Sequence, residues 1–166
     1  MRCKHAKRRS VSISIRTFTV ADTDAVLALW LEAFPEYGDA SRPQRDPRRS
    51  IANKLGTQPE LFFVAVRDED GEGGAVVGTV MAGYDGHRGW LYSLAVARDA
   101  RRLGVGTRLV RHAEHALSAM GCPKLNLQVL SNKPDVLAFY DALGYRADAV
   151  VSLGKRLSTQ ESEASA

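Results

Sequence analysis

The chain is nearly without cysteine: Cys3 and Cys122 are the only two among 166 residues. One lies in a basic opening stretch and the other in a Gly-Cys-Pro turn, so no disulfide framework and no metal site is expected. Long apolar runs are missing as well, and a bilayer-spanning helix needs about 20 such residues in a row. The opening MRCKHAKRRS is basic, like the head of a secretory leader, but no apolar block follows it. VSISIRTFTV alternates apolar with polar instead and reads as a strand. A cytoplasmic protein that keeps off membranes is the expectation.

Charge of one sign is also scarce once it is located. The formal net charge is +4, of which Arg2, Lys4, Lys7, Arg8 and Arg9 supply +5 and Glu161 and Glu163 remove 2. Residues 11–157 therefore sit near +1. A basic end can touch phosphate without reading sequence. No DNA- or RNA-binding motif accompanies it, so no specific nucleic-acid partner is expected.

What the chain does have is one domain's worth of regular pattern. Val11 to Thr19 reads as a strand. A helix follows Asp22, a cap candidate, with Val26, Leu29, Trp30, Ala33 and Phe34 on one face. Pro35 to Pro47 is loop, and Arg48 to Leu55 is a short helix ending at Gly56. Leu61 to Arg67 and Val76 to Tyr84 read as a hairpin, and Trp90 to Ala97 as the next strand. A helix from about Gly104 to Met120 carries the stripe Val105, Leu109, Ala113, Ala116, Leu117 and Met120. Leu125 to Leu130 is a strand and Asp135 to Leu143 a helix that stops at Gly144. Ala149 to Leu153 and Lys155 to Leu157 are read as short closing strands. The expected order is β-α-α-β-β-β-α-β-α-β, an α/β arrangement with a mixed sheet. Residues 11–157 form the domain, between a basic tail (1–10) and a polar, acidic tail (158–166), both read as disordered.

The most specific stretch is RRLGVGTRL, Arg101 to Leu109. Gly104 and Gly106 let the backbone turn sharply and approach a ligand. The helix that follows offers unpaired N–H groups and a partial positive charge, which suits phosphate. A dinucleotide-binding loop wants a third glycine or alanine where Leu109 stands, and an acid at the end of the next strand, where Asn126 to Val129 stand. A P-loop wants a lysine where Thr107 and Arg108 follow Gly106. Both fail on residues.

Arg101-Arg102-Leu103-Gly104-Val105-Gly106, after the strand residues Leu94-Ala95-Val96, resembles the acetyl-CoA loop of the GNAT acetyltransferases. Leu125 to Val129, Asn132 and Ala138-Phe139-Tyr140-Asp141-Ala142-Leu143-Gly144-Tyr145 resemble that family's second CoA-binding segment. The strand order agrees over roughly Ile13 to Leu157. Gly83 to Gly89, Gly121 to Lys124 and Ser152 to Leu157 are similar to the small YpeA-type bacterial members.

The resemblance implies a fold, a reaction and a set of residues. The fold is a mixed, mostly antiparallel sheet flanked by helices. The reaction is acetyl transfer from acetyl-CoA to a primary amine, of a small molecule or a peptide, by direct attack on the thioester. Val105, Gly106 and Thr107 would give amides to the pyrophosphate, with Arg101, Arg102, Leu103 and Gly104 completing the loop. The strand Leu94-Ala95-Val96 would offer main-chain groups to the acyl and pantetheine arms. Tyr140 would protonate the departing thiolate, since a phenol of pKa about 10 keeps its proton at neutral pH. Asn132 would contact the cofactor, although it stands one residue further from Tyr140 than the family pattern, with helix capping as the competing role. The base is the gap: no glutamate precedes the central strand, and Asp85 and His87 are the nearest titratable groups. That gap keeps open a second reading, a CoA-binding module whose chemistry has degenerated.

The acceptor site is expected against the first helices, among Trp30, Phe34, Tyr37, Arg42, Asp46 and Arg49. Glu32, Glu36 and Asp39 would suit a cationic amine, and the arginines an anionic substrate. A homodimer, common in the family, is a possible assembly.

Overall fold

The computed structural model describes residues 11–38, 46–69 and 74–155. The tails read at 1–10 and 158–166, Asp39 and Arg42 lie outside them. The chain divides at Gln128/Val129 into two compact units.

The first unit is one sheet with helices on both faces. β1 (Val11–Thr17), β2 (Phe62–Glu69), β3 (Ala75–Tyr84), β4 (Gly89–Val96) and β5 (Leu125–Leu127) lie in that order across the sheet. The first four are antiparallel neighbours, and β5 joins β4 in parallel. Among the described residues α1 (Thr23–Ala33), α2 (Pro47–Leu55) and α3 (Val105–Ala119) complete the unit.

β2 shows why both faces are covered. Leu61 to Val66 are all buried, so its run is continuously apolar rather than alternating. Successive side chains still take opposite faces. Phe62 stacks on Phe18 at 4.2 Å between ring centroids and lies 6.0 Å from Trp30 of α1. Phe63 meets His112 of α3 edge-on at 4.6 Å. α1 buries Val26, Leu27, Leu29 and Trp30, and α3 buries Val105, Leu109, Val110, Ala113 and Leu117. Met120, expected on that stripe, is 43% exposed, because the helix ends at Ala119.

Gly78 sets how close α3 comes to the sheet. A Cβ there would stand 2.9 Å from Leu109 Cδ1 and 3.1 Å from Val105 Cγ1. The glycine lets the first turns of α3 lie directly on β3.

Two caps differ from expectation. Asp22 makes no side-chain cap to α1. Its carboxylate takes a bidentate pair from Arg16, at 2.7 and 2.8 Å, and the N–H of Thr19 at 2.8 Å. α2 begins at Pro47, one residue early, because Asp46 accepts the Arg48 N–H at 2.8 Å and a proline suits the first helical position.

The second unit holds α4 (Pro134–Ala142). Gly144, at φ +95°, ends it and Tyr145 folds back, its N–H bonding to Tyr140 O at 3.0 Å. The closing strand read at Ala149 to Leu153 does not form. Val150, Val151 and Leu153 are 77, 84 and 90% exposed, and β-propensity without a paired neighbour does not make a strand. Lys155 is likewise in no strand, and the rest of that second short strand lies outside the described residues.

Candidate active site

The site is built around the C-terminal half of β4. Pairing with β5 covers Gly89↔Leu125, Trp90↔Asn126 and Leu91↔Leu127, and then stops. From Tyr92 onward β4 keeps β3 on one side and, among the described residues, has no strand on the other. At this same point β4 bulges. Met81 faces Tyr92 while Thr79 faces Ala95, so two steps on β3 match three on β4. Ser93 absorbs the extra residue at φ +52°, a left-handed conformation rare outside glycine.

A buried relay holds the bulge. Trp30 Nε1 donates to Thr79 Oγ1 at 2.8 Å, and the Thr79 hydroxyl donates to Ser93 O at 3.2 Å. Trp30 and Thr79 are both fully buried. Neither Thr79 nor Ser93 is among the site residues read from the sequence. The available signal is a lone hydroxyl inside the apolar run AVVGTVMAG, together with an indole N–H that must find a partner once buried.

Beyond the bulge the ladder decides which main-chain groups are free. Ala97 N–H bonds to Val77 O at 2.9 Å, so Ala97 and, two residues back, Ala95 turn their polar groups to β3. Val96 and Leu94 turn theirs to the open side. The Val96 carbonyl is met there by Arg101 Nε at 3.1 Å. Ala95 is buried, and Leu94 and Val96 are half-buried.

The open edge leads to the start of α3. Gly104 is its N-cap at φ +77°, and Arg102 precedes it at φ +65°. A Cβ on Gly104 would meet nothing within 4 Å, so the position requires glycine for its backbone angle alone. Arg108 N–H bonds to the Gly104 carbonyl at 3.0 Å, which opens the helical ladder. Val105, Gly106 and Thr107 thus lead the helix with amides that helix geometry leaves unpaired. Arg101, Arg102 and Leu103 are exposed around them.

The two base candidates are not brought to this place. Asp85 and His87 lie in the β3–β4 turn, before β4 begins at Gly89, and Ser93 lies four strand residues beyond that, roughly 13 Å. The Asp85 carboxylate accepts the N–H of Arg88 at 2.6 Å, that of His87 at 2.7 Å and Trp90 Nε1 at 3.2 Å. These bonds, led by Arg88, lower its pKa from the ordinary carboxylate value. Asp85 shapes the turn.

In the second unit, burial raises the Tyr140 phenol to about 12. Its ring meets Phe139 at 5.0 Å and Tyr145 at 5.4 Å, both edge-on. Asn132 is exposed in the preceding turn, and the N-cap of α4 is Lys133, so Asn132 does not cap the helix.

The expected acceptor residues are largely structural. Trp30 belongs to the relay, Asp46 caps α2, and Phe34 and Tyr37 pack on the core. Glu32 pairs with Arg98 at 3.1 Å. Arg49 is exposed.

Comparison with known proteins identifies the family and the fold. Residues 23–145 match the model of the acetyltransferase (GNAT) family. An acetyltransferase of Yersinia enterocolitica is 42% identical over 145 residues, covering 87% of this chain and 96% of that one. One from Sodalis glossinidius is 42% identical over 146 residues, with the same coverage. Among solved structures, an aminoglycoside N-acetyltransferase in complex with CoA superposes with a TM-score of 0.68 at 16% identity, covering 92% of this chain and 100% of that one. Ard1 from Thermoplasma volcanium superposes at 0.66 and 22% identity, covering 82 and 84%. With a matched sequence model over most of its length and relatives above two-fifths identity, this chain belongs to the GNAT family of acetyltransferases.

Proposed function

We propose that this protein transfers an acetyl group from acetyl-CoA to a primary amine. The observation that carries the reading is the parting of β4 from β5 after Leu91, continuous with an exposed helix start at Gly104. Tyr92 to Val96 offer five residues of edge, roughly 17 Å. That length suits an extended pantetheine arm running between a pyrophosphate at α3 and a thioester near Ser93.

The residues present fit such a substrate. Open space around Gly104 and the leading amides of Val105, Gly106 and Thr107 make an anion cradle. Arg101 and Arg102 add positive charge beside it. The outward main-chain groups of Leu94 and the N–H of Val96 would hold the arm by strand-like hydrogen bonds and meet charge developing on the acetyl oxygen. In the reaction a C–N bond forms, the C–S bond breaks, the amine gives up a proton and the thiolate gains one. Tyr140 is assigned that second proton, which a phenol near 12 retains across the neutral range. Asn132 is assigned a supporting contact with the cofactor. With Asp85 held in its turn, the amine proton is assigned to solvent water.

One observation favours a second reading, a CoA-binding module without transfer: neither Asp85 nor His87 reaches the bulge. Titration calorimetry with acetyl-CoA, then thiol release with an amine panel, tests both. Binding by wild type, its loss in Gly106→Trp, and transfer to an amine are expected. Binding without transfer supports the module, and no binding by wild type overturns the CoA reading.

A further inference from the structure

A cavity of about 270 Å³ opens beside the bulge, lined by Ser50, Asn53, Lys54, Thr57, Gln58, Met81 and Tyr92. Its lining is mostly polar. Ser50, Asn53, Lys54 and Thr57 share one side along and just past α2 at i, i+3, i+4, i+7 spacing, with Asn53 and Thr57 exposed and Ser50 half-buried. In their midst Lys54 is only 5% exposed.

Part of this polarity holds the sheet. β2 stops pairing with β3 at Phe62↔Met81, so among the described residues no strand covers the outer edge of Ala82 to Tyr84. Side chains replace it. Lys54 Nζ donates to Ala82 O at 2.5 Å, and the Gln58 amide both donates to Tyr84 O and accepts from Tyr84 N–H, at 2.9 and 3.0 Å. A neutral side chain such as Gln58 does this without burying charge. The edge alone therefore does not account for a buried ammonium.

An ammonium has three donors, and Ala82 takes one. Nζ also stands over the Tyr92 ring, 5.8 Å from its centroid. Among the described residues no carboxylate lies within ion-pair distance of Lys54, and none lines the cavity. Glu60 acts on it only through space. Burial, the larger effect, pulls its pKa below the ordinary lysine value. Buried charges are ordinarily paired, so the site is built to gain from an anion.

We propose that the cavity receives a carboxylate carried by the acceptor, so that the substrate is an amino acid-like molecule or an acidic peptide whose amine points to the bulge. This rests on the acetyltransferase reading and names its substrate class. Tyr92 links the two places, since it lines the cavity and is the first β4 residue past the last β5 pair. The volume lies below the ~300–1,000 Å³ of whole-ligand pockets, which suits an acid-bearing fragment rather than an entire substrate. A single ammonium among neutral donors matches one negative charge. A phosphate dianion is better served by arginine forks.

The test compares matched amines on the wild-type protein: ω-amino acids from glycine to γ-aminobutyrate against alkylamines of equal chain length, with putrescine and O-phosphoethanolamine as further arms. Acetyl-CoA binding is measured first by calorimetry. At least one ω-amino acid should exceed its alkylamine by about tenfold in kcat/KM, chiefly through KM. Lys54→Met should reduce that ratio to within about threefold while leaving the acetyl-CoA Kd unchanged. The wild-type comparison stands even where Lys54→Met does not fold. Equal rates for the two series (including none from either) or a preference for putrescine overturns the carboxylate assignment while acetyl-CoA still binds. A preference for O-phosphoethanolamine overturns it in favour of phosphate. Failure of wild type to bind acetyl-CoA overturns the transferase reading itself.

Discussion

The indole of Trp30 and the hydroxyl of Thr79, 49 positions apart in the chain, form a buried 2.8 Å hydrogen bond that passes on to the Ser93 carbonyl. The bond ties α1 to the bulge where β4 leaves β5. Packing of the first helix and shape of the candidate site are thereby one structure.

Thr79→Val keeps the volume and removes the relay. The Trp30 N–H is then buried without a partner, at a cost of about 1–3 kcal/mol. Urea unfolding should show that loss. Ser93 also loses the bond that supports its left-handed backbone, so thiol release at saturating acetyl-CoA should fall by about tenfold in the folded fraction. Unchanged turnover in a folded variant would mean the bulge holds itself.

Gly104→Ala isolates backbone strain from crowding. The added methyl has open space, but φ +77° is unfavourable for alanine by about 1–2 kcal/mol. Calorimetry with acetyl-CoA should give a Kd weaker by about tenfold, because the loop relaxes away from its cradle shape. A Kd equal to wild type would place the pyrophosphate elsewhere.

Gly78→Ala tests the packing of α3. The new methyl would lie 2.9 Å from Leu109 Cδ1 and 3.3 Å from the Ala95 carbonyl, so the helix must lift off β3. Overpacking of this kind costs about 1–3 kcal/mol, measurable as a lower Tm.

The Arg16–Asp22 pair makes a pH prediction. Hydrogen bonds from Arg16, and after them from Thr19, outweigh burial and hold Asp22 at about 2, below its ordinary 3.8. A depressed carboxylate adds stability that is fully present above its unfolded pKa and is lost as pH falls toward the folded value. Asp22→Asn should therefore cost about 1–2 kcal/mol at neutral pH, discounted because Arg16 is partly in solvent. Denaturation across pH 7 to 2 should show the gap closing between 3.8 and about 2.

Tyr140→Phe should lower kcat by about 100-fold with the acetyl-CoA Kd unchanged, if the phenol supplies the thiolate proton. Since Tyr140 lies at about 12, wild-type kcat should show no Tyr140 titration through the neutral range.

Much of this protein is legible in its residues. Apolar periodicity places β1 to β4, α1 and α3 within a residue or two, since each buries one face or both and the period follows from the backbone geometry. Gly104 announces the left-handed turn that starts α3, because that backbone angle favours glycine. The closing strand at Ala149 to Leu153 was beyond that kind of reading, since its β-branched residues carry the propensity but pairing depends on a neighbour that local sequence does not specify.

The site's working details were decided in three dimensions. Nothing local marks Ser93 as the bulge; its φ of +52° follows from the mismatch of two steps on β3 with three on β4. Lys54 looks like any solvated helix lysine until α2 lies against the bare edge of Ala82 to Tyr84. Asp85 reads as a titratable group near β4, and only the folded turn shows its carboxylate accepting the N–H groups of His87 and Arg88. Apolar patterning in the residues marks which faces are buried, and glycine marks some of the left-handed turns, as at Gly104 and Gly144. Which polar groups were left without water, and so had to pair with each other or wait for a ligand, was decided only when distant strands and helices met.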